Sequence, residues 1–113
     1  MCGRYGRRGD KQKIAEAFQF RTSLEEVDFD ETFDAAPGSV QPVVMMNDEG
    51  MRDLSLIRWG FKLPDRLLFN VRSEGITTAK FCKDKFRDHR CIVPASSYFE
   101  WQNCDTKPSL SLR

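Results

Sequence analysis

Apolar residues early in the chain recur at intervals of three and four, the spacing of one face of a helix. Ile14, Ala17 and Phe18 follow Asp10, whose side chain can cap the first turn. We expect this helix to fade at 21–23, because the stretch 24–32 is acidic and predicts a loop. The first third of the chain therefore predicts one amphipathic helix.

Beyond residue 40 the apolar positions alternate or run together, and turn residues separate them. The predicted elements, in chain order, are a strand over 40–46, a turn over 47–50, a strand over 54–59, a loop over 60–66, a strand over 67–72, a helix over 76–88, strands over 90–95 and 98–102 joined by a short turn, and the beginning of a strand over 109–113. Pro42 places its strand at a sheet edge or at a strand start. The apolar phase slips between Leu56 and Ile57, which predicts a bulge or burial on both faces.

These elements predict an α+β fold with a mixed, mostly antiparallel sheet and flanking helices. The helix over 76–88 would bury Ala79, Cys82 and Phe86, which share one face. Because the last strand has barely begun, we expect the sheet to be unfinished at residue 113. An unfinished sheet exposes a strand edge, so another chain that completes the sheet is a candidate partner.

Composition is ordinary for one globular domain: the chain has 113 residues, of which 40% are hydrophobic and 31% charged. It contains no apolar run long enough for a transmembrane helix, and the Arg-rich amino terminus lacks the apolar core of a signal peptide. We therefore expect no membrane partner, and a cytoplasmic location or, in a eukaryote, a nuclear one. The net charge is only +1, so nucleic-acid binding would depend on local clusters of basic residues.

The cysteines Cys2, Cys82, Cys91 and Cys104 show no C-x-x-C spacing, and in a reducing compartment they are free thiols. A zinc site built from Cys82, His89 and Cys91 would have non-standard spacing and no fourth ligand. We expect no metal and no cofactor. His89, the only histidine of the sequence, is expected at the surface or in a turn.

Cys2 carries chemistry that the other cysteines lack. Met1 precedes a small side chain, so we expect its removal, which leaves the amine and the thiol of Cys2 on adjacent carbons. An aldehyde can condense with that amine, and the thiol can then close a five-membered thiazolidine ring. The alternative is a cysteine without a role in a frayed terminus.

Three further clusters are candidate sites, each with a plain structural alternative. If residues 67–72 are extended, Asn70, Arg72 and Glu74 share one face, where they could hold a phosphate or hydroxyl; the alternative is a solvated strand face. In the strand predicted over 98–102, alternation puts Phe99 and Trp101 in the core.

On the opposite face of the strand predicted over 98–102, Glu100 lies beside Tyr98. A carboxylate so placed is a candidate for general acid–base catalysis, and the alternative is an exposed strand glutamate. On the predicted helix, Lys80, Lys83 and Arg87 could face a phosphate backbone, although intervening aspartates fit a plain solvated helix face equally well.

Taken together, five short blocks resemble one family in order and spacing. They are Met1-Cys2-Gly3-Arg4-Tyr5, Ala35-Ala36-Pro37 with Pro42-Val43-Val44, Trp59-Gly60, Asn70-Val71-Arg72-Ser73-Glu74, and Cys91-Ile92-Val93-Pro94-Ala95 leading to Phe99-Glu100-Trp101. The chain resembles the SRAP (SOS response-associated peptidase) family from residue 1 to about residue 102. The resemblance implies a barrel-like SRAP core, of which residues 1–113 would be the N-terminal portion.

The resemblance also implies a function. SRAP proteins recognise abasic sites in single-stranded DNA and crosslink to the ring-opened sugar through the N-terminal cysteine, so Cys2 would be the nucleophile. Asn70 would orient the sugar or the cysteine amine, and Glu100 would shuttle protons. The implied DNA contacts are Arg4, Arg72 and Lys80.

Family members are also classed as cysteine peptidases with lyase activity, and they run to about twice this length. The histidine motif of their second half has no counterpart here, and Asp34 stands where asparagine is usual. The alternatives left open are a self-processing cysteine peptidase and a non-catalytic remnant that binds single-stranded DNA.

Overall fold

The computed structural model describes residues 2–103 and 108–112. The predictions that concern Met1, Cys104 and Arg113 lie outside the described residues. The elements, in chain order, are β1 (Arg4–Arg7), α1 (Lys11–Phe18), β2 (Thr32–Ala35), β3 (Val40–Met46), β4 (Arg52–Arg58), β5 (Phe61–Lys62), β6 (Leu67–Leu68), α2 (Ser73–Ile76), α3 (Lys83–Asp88), β7 (Cys91–Ile92), β8 (Ser97–Asn103) and β9 (Pro108–Leu112).

The strands form three sheets, with the orders β2-β1-β8-β9, β4-β3-β7 and β5-β6. Every described pairing is antiparallel. The predicted α+β fold with mostly antiparallel strands is therefore confirmed, and among the described residues the sheets do not close into a barrel. None of the helices in this part of the chain has the length and apolar character needed to cross a membrane.

Helix α1 begins as predicted. The Asp10 side chain accepts a hydrogen bond from the Lys13 backbone N–H at 2.9 Å, and Ile14 is buried. The helix ends several residues earlier than predicted, because Gln19 adopts a left-handed conformation with φ of 52°. Ala17, expected on the buried face, is exposed.

The hydrophobic core lies between α1, the following loop and the β3–β4 hairpin. Val27, Val44 and Leu54 form its buried centre, and three phenylalanines pack against it: Phe18, Phe20 and Phe29. The acidic stretch is a loop, as predicted, until β2 begins at its last residue. It contributes Val27 to the core, and Thr22 just before it accepts a hydrogen bond from the Leu54 N–H at 2.8 Å.

The β3–β4 hairpin confirms the two predicted strands and corrects their details. Pairing runs without interruption from Val40 opposite Arg58 to Met46 opposite Arg52, so the predicted bulge is wrong. Leu56 and Ile57 are 43% and 41% exposed, because β4 is the outer strand of its sheet. The predicted burial on both faces is therefore wrong as well.

Pro42 lies inside the middle strand of that sheet rather than at an edge or a strand start. The sheet tolerates it because β7 reaches only Val44 and Met45, which leaves β3 without a described strand partner on that side at Pro42.

The region after β6 departs most from the prediction. The strand expected over 67–72 stops at Leu68, and the helix expected over 76–88 is divided into α2 and α3. Residues 77–82 form turns, because Gly75, Thr77 and Thr78 are poor helix formers. Of the predicted buried face, Cys82 is buried, whereas Ala79 is exposed.

The two strands predicted over 90–95 and 98–102 are present as β7 and β8, but they belong to different sheets. β7 pairs with β3, whereas β8 pairs with β1 and β9 in another sheet. Pro94 is fully buried between β7 and β8, where the chain passes from one sheet to the other.

Candidate active site

The site is organised around β1, which the hydrophobic pattern did not predict. β1 lies in the interior of its sheet, paired with β2 on one side and with β8 on the other. Gly6 permits a close approach, since a Cβ at that position would lie 2.7 Å from the Ser97 hydroxyl oxygen. The segment that follows Cys2 is thus held between two strands.

Cys2 lies two residues before β1, and both its carbonyl oxygen and its thiol contact the protein. The Asn70 side-chain amide donates a hydrogen bond to the Cys2 carbonyl oxygen at 2.8 Å. The Cys2 thiol donates a weaker, longer one to the Arg4 carbonyl oxygen at 3.6 Å. Although Asn70 lies in a loop rather than on the predicted strand, its contact fixes the position of Cys2.

An aromatic bridge connects β1 with the segment that carries Asn70. The Tyr5 ring lies 5.4 Å from the Trp59 ring, and Trp59 meets Phe69 edge to face at 6.3 Å. Aromatic pairs at these distances stabilise the fold by more than the burial of their surface area alone would do. Because Trp59 directly follows β4 and Phe69 directly precedes Asn70, the bridge helps to hold Asn70 close to Cys2.

A cavity of about 990 Å³ opens at this point, and Cys2, Asn70 and Glu100 all line it. Most of its other lining residues are apolar or aromatic. Apart from Glu100, the lining includes Arg58, Lys85 and the imidazole of His89. The described lining thus carries two basic side chains and one carboxylate, a balance that favours an anionic ligand.

The alternation predicted for β8 is confirmed by the two surfaces that it separates. Tyr98 and Glu100 line the cavity, whereas Phe99 and Trp101 line a separate groove on the other face. The prediction that Trp101 lies in the core is wrong, because its side chain is 67% exposed. The same strand therefore serves two surfaces of different character.

That second groove, of about 540 Å³, contains one of the three predicted DNA contacts. Arg4 lies there, and its guanidinium donates to the Asp34 carboxylate at 2.6 Å. Arg72 precedes α2 and Lys80 precedes α3; both are exposed, and neither lines the cavity or the groove. The structure thus brings the three predicted catalytic residues together and leaves the three predicted DNA contacts apart.

Lys85 and Arg58 are the cavity cations that sequence reasoning missed. The Lys85 ammonium lies 4.6 Å from the centroid of the Phe81 ring and 5.6 Å from that of Phe61. Phe81, Lys85 and His89 are spaced four residues apart, which is the spacing of one helix face. This spacing is the sequence signal that could have grouped Lys85 with His89. It was hidden because Lys80 and Lys83 fit one face of a longer helix.

A buried arginine contacts Gln41, one of the residues that line the cavity. Arg7, which is 3% exposed, donates to the Gln41 side-chain oxygen at 3.0 Å and to the Asp30 carbonyl oxygen at 2.8 Å. Burial lowers the pKa of Arg7, and burial raises the pKa of Tyr5 against the opposing effect of the Arg7 charge. The Tyr5 hydroxyl therefore stays protonated and neutral at physiological pH.

Cys91 is the second thiol on the cavity wall. Partial desolvation by its surroundings raises the pKa of Cys91, which favours the protonated, less nucleophilic form. Its nitrogen is also part of a peptide bond, so it cannot form the ring that Cys2 can. No group of three or more histidine, cysteine or acidic side chains gathers as a metal site within residues 2–103 and 108–112.

Comparisons with known proteins agree on one family. The family model described as "SOS response associated peptidase (SRAP)" matches residues 1–111. "Abasic site processing protein YoqW", from Bacillus subtilis (strain 168) and from Bacillus phage SPbeta, is 28% identical over 120 residues, which cover 100% of this chain and 53% of the relative. "Abasic site processing protein YobE" of Bacillus subtilis (strain 168) is 27% identical, with 54% of its length covered. The chain spans about half the length of these curated relatives, and no solved structure matches it significantly.

Proposed function

The chain belongs to the SOS response associated peptidase (SRAP) family, and we propose that it recognises abasic sites in single-stranded DNA and crosslinks to them through Cys2. The observation that carries this proposal is the hydrogen bond from Asn70 to the Cys2 carbonyl, inside a cavity that Glu100 also lines. The names of the relatives, which are abasic site processing proteins, agree with this choice of substrate.

The crosslink forms in two steps once Met1 has been removed. The Cys2 amine attacks the aldehyde carbon of the ring-opened sugar, and loss of one water leaves a Schiff base. The thiol sulfur then adds to the imine carbon while the thiol proton passes to the nitrogen, which completes the thiazolidine. The net change is one covalent adduct formed and one water released.

Asn70 and Glu100 assist different parts of this reaction. Asn70 fixes the Cys2 carbonyl, which limits rotation of the residue whose amine must reach the aldehyde. Glu100 exchanges protons with the sugar oxygen during ring opening and with the hydroxyl that leaves as water. A Schiff base at the same carbon also permits strand cleavage, so a lyase activity belongs to this proposal.

In this proposal, basic side chains outside the cavity hold the DNA backbone. Arg72 and Lys80 are exposed, and Arg4 lies on the other face of the same strand pair, where an extended strand of DNA can reach it. Phosphate contacts of this kind need only local positive charge, which is compatible with a net charge of +1.

Intact-mass measurement before and after incubation with an oligonucleotide that carries one abasic site tests the proposal. The expected product is protein without Met1 plus the oligonucleotide minus one water. Neither Cys2→Ala nor a protein that retains Met1 should give an adduct that survives acid denaturation, because the amine of each can form only a Schiff base, which hydrolyses. Cys91→Ala, which changes the other thiol of the cavity, should react like the wild type. A wild-type protein with a free Cys2 amine that forms no adduct would overturn the proposal.

A further inference from the structure

One cation of the cavity, Lys85, lies against aromatic rings. Lys85 lines the cavity together with Cys2, and its ammonium lies over the rings of Phe81 and Phe61 at 4.6 and 5.6 Å. These two rings pack edge to face at 5.1 Å and form a fixed apolar support for the lysine stem. Lys85 is therefore held in place before any ligand arrives.

The contacts of Lys85 leave its hydrogen-bonding capacity for a ligand. Within the described part of the chain, its charge meets only aromatic faces, and neither a carboxylate nor a carbonyl accepts a hydrogen bond from it. Cation–π contact stabilises an ammonium without using its three N–H donors. A lysine placed in this way suits a phosphate, which it binds as a point charge.

The other basic residues near the site are engaged or lie elsewhere. Arg58, the second cavity cation, donates to the Gly38 carbonyl oxygen at 2.6 Å. Arg4 is paired with Asp34 in the other groove, and Lys80 lies outside the cavity. Lys85 is thus the cavity cation best placed to take a new anionic partner.

We propose that Lys85 binds the phosphodiester next to the abasic sugar and holds it in the cavity while Cys2 reacts. This role rests on the proposed function, because it assumes that the ligand is a DNA strand. It adds a phosphate subsite on α3 to a site otherwise built from β1, β8 and the loop that carries Asn70.

Binding is measured with single-stranded DNA that carries a tetrahydrofuran abasic analogue, which has no aldehyde and cannot crosslink. Lys85→Gln should weaken binding at low salt by roughly five- to tenfold and reduce the slope of log K against log[salt] by about 0.7. Lys85→Arg should keep most of the affinity. Lys83→Gln, the matched loss of one charge from the same helix outside the cavity, should change affinity less than about twofold.

A second measurement separates phosphate binding from an effect on the nucleophile. With free 2-deoxyribose, which carries no phosphate, Lys85→Gln should form the thiazolidine at the wild-type rate. Equal affinities and salt slopes for Lys85→Gln and Lys83→Gln would overturn the subsite, and so would a slower reaction of Lys85→Gln with deoxyribose. Failure of the proposed function is a different result, namely a wild-type protein that gives no adduct with abasic DNA.

Discussion

The two faces of the β1–β8 pair differ in how firmly they hold their functional groups. On the cavity face, Asn70 fixes Cys2 through a 2.8 Å hydrogen bond, and Tyr5 beside it is 5% exposed. On the groove face, the side chains of the Arg4–Asp34 ion pair are 50% and 59% exposed, and Trp101 is 67% exposed. One pair of strands thus carries a constrained surface and a solvated one.

This difference suggests different roles for the two faces: the cavity face would carry the reaction, and the groove face would adjust binding. A reacting group must be held in one geometry, which the buried side of the strands provides through packing and directional hydrogen bonds. Exposed ion pairs contribute at most about 1 kcal/mol and are screened by salt, so the groove face can alter DNA affinity only modestly. We therefore expect substitutions on the cavity face to change reaction rate or stability, and those on the groove face to change weak binding.

The largest contrast is expected between two neighbours on β8. Glu100→Gln keeps the size of the side chain but removes its ability to exchange protons, so the rate of adduct formation should fall about 100-fold. Trp101→Leu, which changes the next residue on the other face, should alter that rate by less than about threefold. Single-turnover assays with abasic single-stranded DNA measure both rates. If the two variants lost the same fraction of the rate, the reaction would not depend on the cavity face more than on the groove face.

The next contrast is between two arginines of β1. Arg7 donates two hydrogen bonds from a buried position, so Arg7→Ala leaves the oxygens of Gln41 and Asp30 without that donor and should cost about 2 kcal/mol of unfolding free energy. Arg4→Ala removes an exposed charge and should cost about 0.5 kcal/mol or less. Urea denaturation compares the two variants; similar midpoints would contradict a firmer hold on the cavity face.

The sequence predicted this contrast only in part, for physical reasons. The strands β3, β4 and β8 carry alternating or continuous apolar residues, so their existence and the two faces of β8 could be predicted. β1 has no such pattern: Gly6 adds no apolar side chain, and arginine is rarely buried, so the burial of Arg7 leaves no signal in the sequence.

Lys85 was missed for another reason. The prediction assumed one helix over 76–88, in which Lys80 and Lys83 shared a face. The turns over 77–82 reorient the later residues, and only the tertiary structure reveals that Lys85 and His89 reach the cavity. Short motifs identify Cys2, Asn70 and Glu100 as candidates, but their assembly in one cavity depends on contacts between residues that are distant in sequence.

The smallest expected effect belongs to the groove. Asp34→Asn removes the negative charge that the Arg4 guanidinium contacts at 2.6 Å, so Arg4 becomes more available to a phosphate. Affinity for single-stranded DNA without an abasic site should rise by no more than about threefold and lose this gain at high salt, because an exposed pair is worth little. The rate at which Cys2 reacts with free deoxyribose should not change, since that reaction involves only the cavity.

Asp28→Asn provides the matched control, because Asp28 forms an exposed ion pair with Lys11 at 3.2 Å and lines neither the cavity nor the groove. Both variants raise the net charge by one. If Asp28→Asn increased affinity as much as Asp34→Asn, the gain would come from net charge alone, and Asp34 would not restrain Arg4. A gain confined to Asp34→Asn would instead mean that this carboxylate limits how strongly the groove face holds DNA, while the cavity face alone sets how fast Cys2 reacts.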